Sequence, residues 1–165
     1  MTRITYLEGD ATQPQEAVRV APFTVIAHVC NNIGGWGSGF VVAVSRRWSA
    51  PEDCYRAWGP PYRLGDVQLV QVEDRLYVAN IIGQNGTINN RRGEGPPVRY
   101  EAIREALAQL AEWCLEVRAN VAMPRIGCGL AGGSWAIVEQ IVEEELTRKG
   151  VAVFVYDFPG GTFNP

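Results

Sequence analysis

Positive charge is scarce in this chain, and lysine is the scarcest part of it. Lys149 is the sole lysine among 15 basic residues, which face 18 acidic ones. The net charge of −3 excludes a protein whose main work is gripping a nucleic-acid backbone, because that needs a basic surface. It leaves room for one small anion, which needs only local donors. The four cysteines, Cys30, Cys54, Cys114 and Cys128, form no C-x-x-C pair, and their spacing suits neither a zinc site nor a disulfide framework. No stretch approaches the roughly twenty apolar residues that span a bilayer. The opening Met1-Thr-Arg-Ile-Thr-Tyr6 has no apolar signal region. We therefore expect a cytoplasmic protein with reduced thiols, no metal and no membrane contact.

What is present fits one domain over residues 1–165: the length is ordinary, and 47% of the residues are hydrophobic, enough for a sizeable core. Ile4–Leu7 is a short β-rich run that ends at Gly9-Asp10. Thr24–Val29 is a continuous apolar run, long enough for a buried strand but short for a helix. After Cys30-Asn31-Asn32 comes a glycine-dense loop, and Phe40–Arg47 then reads as a helix. Val67–Val72 and Leu76–Ile82 are two strands, joined by Glu73-Asp74-Arg75 as a hairpin. Residues 83–97 form a long loop rich in Gly, Asn, Arg and Pro; such loops inside compact domains are often functional. Arg91-Arg92 on it is read as a solvated charge pair, on a segment long enough to cover a crevice.

Tyr100–Val117 carries Ile103, Leu107, Leu110, Ala111 and Cys114 at helical spacing. Asn120–Pro124 is a short strand. Ser134 is placed to cap a helix over Trp135–Lys149 that buries Ile137, Val138, Ile141, Val142 and Leu146. Gly150 follows where a terminating glycine belongs, and Val151–Tyr156 is a last strand. Strands alternate with helices, so the class is α/β, with a mostly parallel or mixed sheet covered on both faces.

Two buried strands each run into a glycine-rich loop that leads to a helix. Glycine lets the backbone approach a ligand closely, and the exposed N–H groups and helix dipole then hold an anion. The ligand crevice of an open α/β sheet lies at the carboxyl ends of its strands, so both loops should face it. Two such loops suit a ligand with two phosphates. Neither follows the Gly-x-x-x-x-Gly-Lys-Ser/Thr pattern, and Gly35-Trp36-Gly37-Ser38-Gly39 is not spaced as the dinucleotide-binding fingerprint.

The same words occur in the same order in macrodomains. Ile4-Thr-Tyr-Leu-Glu-Gly9-Asp10 resembles the family's first-strand signature. Ala27-His28-Val-Cys-Asn31-Asn32 with Gly35-Trp-Gly-Ser-Gly39 resembles its first ligand loop, and Met123-Pro-Arg-Ile-Gly127-Cys-Gly129-Leu its second. Val153-Phe-Val-Tyr156 resembles its last strand. The second loop is most similar to the branch that contains terminal ADP-ribose protein glycohydrolase, and the Asn31 loop with Trp36 is similar to the fungal ADP-ribose-1″-phosphate phosphatase. The resemblance implies a three-layer α/β/α sandwich with a mixed central sheet, and ADP-ribose and ADP-ribosylated proteins as partners of a monomer, with no cofactor.

It also implies residue roles. Asp10 would accept a hydrogen bond from the adenine amine, with the Ala11 N–H nearby. Asn31 would hold hydroxyls of the distal ribose. Gly37, Ser38, Gly39 and Phe40 on one side, and Gly127, Cys128, Gly129, Leu130 and Ala131 on the other, would cradle the diphosphate. Tyr156 or Phe158 would stack on adenine, and Trp36 would gate or edge the ligand. Beside these stand plainer readings: Asp10 and Asn31 as turn residues, His28 as a hydrogen-bonded core residue, Cys30 and Cys128 as small buried hydrophobes.

The chain departs from the glycohydrolase branch where that branch carries its chemistry. The branch uses a lysine after its fourth strand and an aspartate directly after Gly-Cys-Gly-Leu. Here those positions hold Gln84 and Ala131, and Lys149 belongs to the end of the last helix. A covalent lysine intermediate is thereby excluded as the expected route. The expectation is instead direct attack by water on ADP-ribose esters of Asp and Glu, with Asn31 and loop backbone holding the water, Gln84 or Asn85 positioning the acyl group, and His28 as a proton acceptor. A non-catalytic ADP-ribose reader and an ADP-ribose-1″-phosphate phosphatase remain the alternatives.

Overall fold

A computed structural model describes residues 3–165. Its six strands are β1 (Ile4–Glu8), β2 (Phe23–Asn31), β3 (Val67–Glu73), β4 (Leu76–Gln84), β5 (Ala119–Met123) and β6 (Val153–Asp157). They form one sheet in the order β1-β6-β5-β2-β4-β3. Every neighbouring pair is parallel except β3 with β4, the expected hairpin. The helices are α1 (Gln15–Val18), α2 (Phe40–Arg47), α3 (Ala50–Trp58), α4 (Tyr100–Val117) and α5 (Trp135–Glu145). This is the three-layer α/β/α sandwich that the resemblance implies, with a mixed sheet between two helical layers.

The period of two along β2 shows how the layers are built. Val25 and Ala27 point into the larger core, against Ile103, Leu107 and Leu110 of α4 and Val138 and Val142 of α5. Ile26 and Cys30 point the other way, into smaller clusters with residues of α2 and α3. Because both faces are covered, the strand reads as an unbroken apolar run rather than an alternating one. Each fully buried Leu or Ile here contributes roughly 1.5–3 kcal/mol by leaving water.

Several element boundaries differ from the sequence reading, each for a local reason. β2 runs on to Asn31, with a register shift between Cys30 and Asn31 against β4. α1 and α3 occupy stretches to which the sequence reading assigned no element. The last helix stops at Glu145, and a 3-10 turn over Thr147–Lys149 carries the chain to Gly150 at φ 99°. Ile137 is exposed, not buried, because it lies on the solvent side of α5. Ser134 stands at the N-cap but does not cap: its hydroxyl donates to the Pro165 carbonyl at 2.9 Å. The chain's own tail does that work, since the Trp135 and Ala136 N–H groups donate to the carbonyls of Asn164 (3.0 Å) and Pro165 (2.8 Å).

Candidate functional site

The carboxyl ends of the parallel strands share one edge of the sheet, and a cleft of about 1430 Å³ lies along it. The strand order sets its sequence of parts. Asp10 and Ala11, past β1, lie at one end with Tyr156, in β6, and Phe158, just past it. Gly127–Ala131 after β5 and Ser38–Phe40 after β2 form the middle. Gln84, at the end of β4, closes the other end.

The middle is built from backbone. Gly39 precedes α2 at φ 84°, and no side chain caps that helix. The N–H groups of Ser38, Gly39, Phe40 and Val41 have no acceptor among the described residues. Across the cleft, Gly127 adopts φ 73°, a conformation that favours glycine, and its carbonyl accepts from the Gly133 N–H at 2.7 Å. The N–H groups of Gly129, Leu130 and Ala131 are likewise unpaired among the described residues. Leu130 reaches over to the first loop, where its Cδ1 lies 3.5 Å from the Cβ position of Gly39. Two helix-linked sets of free N–H groups facing one cleft make an anion cradle.

At the β1–β6 end, Asp10 Oδ1 accepts from the Thr12 N–H at 2.8 Å and from its hydroxyl at 2.7 Å. Thr12 Oγ1 in turn accepts from Arg47 Nε at 3.1 Å. Tyr156 is buried, and its hydroxyl donates to Glu16 at 2.9 Å; burial and that bond push its pKa up to about 12. Phe158, by contrast, exposes 65% of its surface at the cleft mouth, so of the two aromatic candidates it is the one free to cover a ligand face.

Asn31, Trp36 and Gly37 do not line the cleft. The Asn31 amide is spent on its own loop: Oδ1 accepts from the N–H groups of Ile33 (3.0 Å) and Gly35 (2.9 Å), and Nδ2 donates to the Gly35 carbonyl at 2.9 Å. Tyr55 of α3 adds a bond from its hydroxyl to the Asn31 carbonyl at 2.6 Å. Trp36 is buried, its ring tilted against that of Tyr55, and its indole N–H donates to Ser45 at 2.7 Å. It is a core residue of the α2–α3 side rather than a gate.

His28 does line the cleft, from beneath, against the rings of Trp36 and Phe40. Its Nε2 lies 2.6 Å from Asn80 Oδ1. Asn80 Nδ2 donates to Pro51 O and to Gln68 Oε1, both at 3.0 Å, so Asn80 Oδ1 is the acceptor and the histidine proton sits on Nε2. That leaves Nδ1 as a bare acceptor, buried without a partner among the described residues. Burial pulls the His28 pKa down to about 4, opposed by the Asn80 bond. Cys30 and Cys128 are buried, and desolvation raises both thiols far above neutrality.

Gln84 is held only loosely, by a 3.4 Å contact from Nε2 to the Gly86 carbonyl. Lys149 precedes β6, at the opposite edge of the sheet, paired with Glu145 at 2.7 Å. Among the lining residues that escaped the sequence reading are Thr12, Arg46, Arg47 and Phe163. Phe163 lies over the Arg125 guanidinium at 3.9 Å, and Arg125 makes a bidentate pair with Asp157, both bonds 2.8 Å. Nothing in the tail's composition signals that it folds back here.

No family model matches the chain. A macrodomain protein from Streptomyces coelicolor is 50% identical, superposes with a TM-score of 0.80, and covers 94% of this chain and 99% of its own. This chain belongs to the macrodomain family. Among curated relatives, the ADP-ribose glycohydrolase OARD1 of Bos taurus is 26% identical over 157 residues, covering 94% of this macrodomain and 91% of itself. The DNA ADP-ribosyl glycohydrolase of Thermus aquaticus is 28% identical over 142 residues; they amount to 83% of this chain but only 38% of that protein.

Proposed function

We propose that this macrodomain binds ADP-ribose in the cleft and hydrolyses it from Asp and Glu side chains of mono-ADP-ribosylated proteins. The observation that carries the reading is the double set of unpaired loop N–H groups on the cleft, between an aromatic end and Gln84. The names of the bovine and Thermus relatives support the hydrolase class.

In this reading adenine lies by Asp10 and Phe158, the diphosphate between the loops, and the distal ribose beside Gln84. Water attacks C1″, the bond from C1″ to the ester oxygen breaks, and the side chain leaves as a carboxylate while the water's second proton passes to solvent. A carboxylate is a good leaving group, so orientation and charge stabilisation supply most of the acceleration. Gln84 positions the acyl group or the water. Asn31 acts by shaping the loop that bounds the ribose. His28, neutral at pH 7, offers Nδ1 as a hydrogen-bond acceptor rather than as a strong base.

The reader alternative is favoured by one observation: Ala131 and Gln84 supply neither acid nor nucleophile. Incubation with a protein automodified on acidic residues separates the two. Release of free ADP-ribose, with no protein-linked adduct after borohydride, is the expected result. Binding without release makes the protein a reader, and a borohydride-stable adduct refutes attack by water.

A further inference from the structure

The order of parts along the sheet edge does not end at Gln84. A second cavity of about 630 Å³ is bounded by Asn32, just past β2, and by Arg56, Pro60, Pro61, Tyr62 and Arg92. Asn32 ties it to the cleft. Its N–H donates to the Gln84 carbonyl at 3.1 Å, its Nδ2 to Asn85 Oδ1 at 2.9 Å, and its Oδ1 accepts from the Gly86 N–H at 2.8 Å. A group attached to the distal ribose beside Gln84 therefore leaves the cleft next to this cavity.

Its chemistry is cationic in a chain whose net charge is −3. No acidic residue lines it among the described residues. Arg56 is oriented by Glu52 (2.9 Å) and by the Gly34 carbonyl (3.2 Å). The Arg92 guanidinium has no hydrogen bond or ion pair among the described residues; only its carbonyl is held, by Asn85. Two prolines and a tyrosine supply apolar walls. We propose that this cavity receives an acidic stretch of the modified protein, flanking the residue that bears ADP-ribose. The proposal rests on the binding half of that reading, the cleft holding the ADP-ribose of a modified protein. Arg56 already has Glu52 as its ion-pair partner, so the free guanidinium is that of Arg92, which can take a carboxylate through two parallel N–H···O bonds. A nucleic-acid strand would need a longer array of basic residues than the two present here.

Two fluorescent peptides test this, each with one glutamate-linked ADP-ribose, one flanked by Asp and Glu and the other by Gln and Ser. By anisotropy the acidic peptide should bind about three- to ten-fold tighter, an advantage that shrinks as salt rises. Arg92→Ala should remove most of the preference and Arg92→Glu reverse it, while free ADP-ribose binds both variants as it does the wild type. Equal affinities in the wild type, or a preference that survives Arg92→Glu, overturn the proposal. So does single-stranded DNA that displaces the acidic peptide but not free ADP-ribose, which would mark a nucleic-acid occupant. An affinity difference with no release from either peptide sinks the hydrolase reading alone.

Discussion

His28 is the residue whose burial has the clearest consequence. A histidine kept neutral to about pH 4 binds its proton less readily in the folded protein than in the unfolded one, where 6.5 applies. Its contribution to stability is complete above pH 6.5 and is lost as pH falls from 6.5 toward 4, roughly 3 kcal/mol over that window. Urea unfolding at pH 7 and pH 4.5 should show a smaller drop for His28→Gln than for the wild type; equal drops would mean that other groups carry the acid sensitivity. Asp10 can be dissected as finely. Because one oxygen serves Thr12, Asp10→Asn keeps the turn and replaces the second acceptor with a donor. ADP-ribose affinity should fall by about 1–3 kcal/mol with unfolding unchanged. Unaltered binding would reduce Asp10 to a turn residue.

The two glycine loops make a sharper test among the elements. A Cβ at Gly129 meets no atom within 4 Å, and the residue is not in the left-handed region. Gly129→Glu should therefore fold with a normal melting curve and fail to bind ADP-ribose, because the carboxylate enters the anion cradle; normal binding by a folded variant would move the diphosphate elsewhere. α4 was legible because its apolar spacing repeats over several turns, and α2 because it starts directly after the glycine loop; both begin and end where the sequence reading put them. α1 has four residues, too few for a period. α3 had its signals, Pro51, Glu52 and Asp53 ahead and Gly59 behind, but its burial rests on only Pro51 and Tyr55. Missing α3 had a cost at the site, because Tyr55 is what holds Asn31, and no local pattern links residues 24 apart.

For the whole molecule, class and layer order followed from alternating strands and helices, but the strand order did not, since crossovers of similar length permit several. That order is what aligns the aromatic end, the two loops, Gln84 and the arginine cavity along one edge. The tail's return over Arg125 and the α5 N-terminus was equally hidden, because its bonds are backbone carbonyls that any residue supplies. All of the chemistry proposed for the cleft depends on its being an ADP-ribose site. Titration calorimetry of the wild type with free ADP-ribose tests it most directly: one equivalent should bind with a micromolar Kd, about −8 kcal/mol. No heat at millimolar ligand, with no accompanying rise in melting temperature, would contradict it.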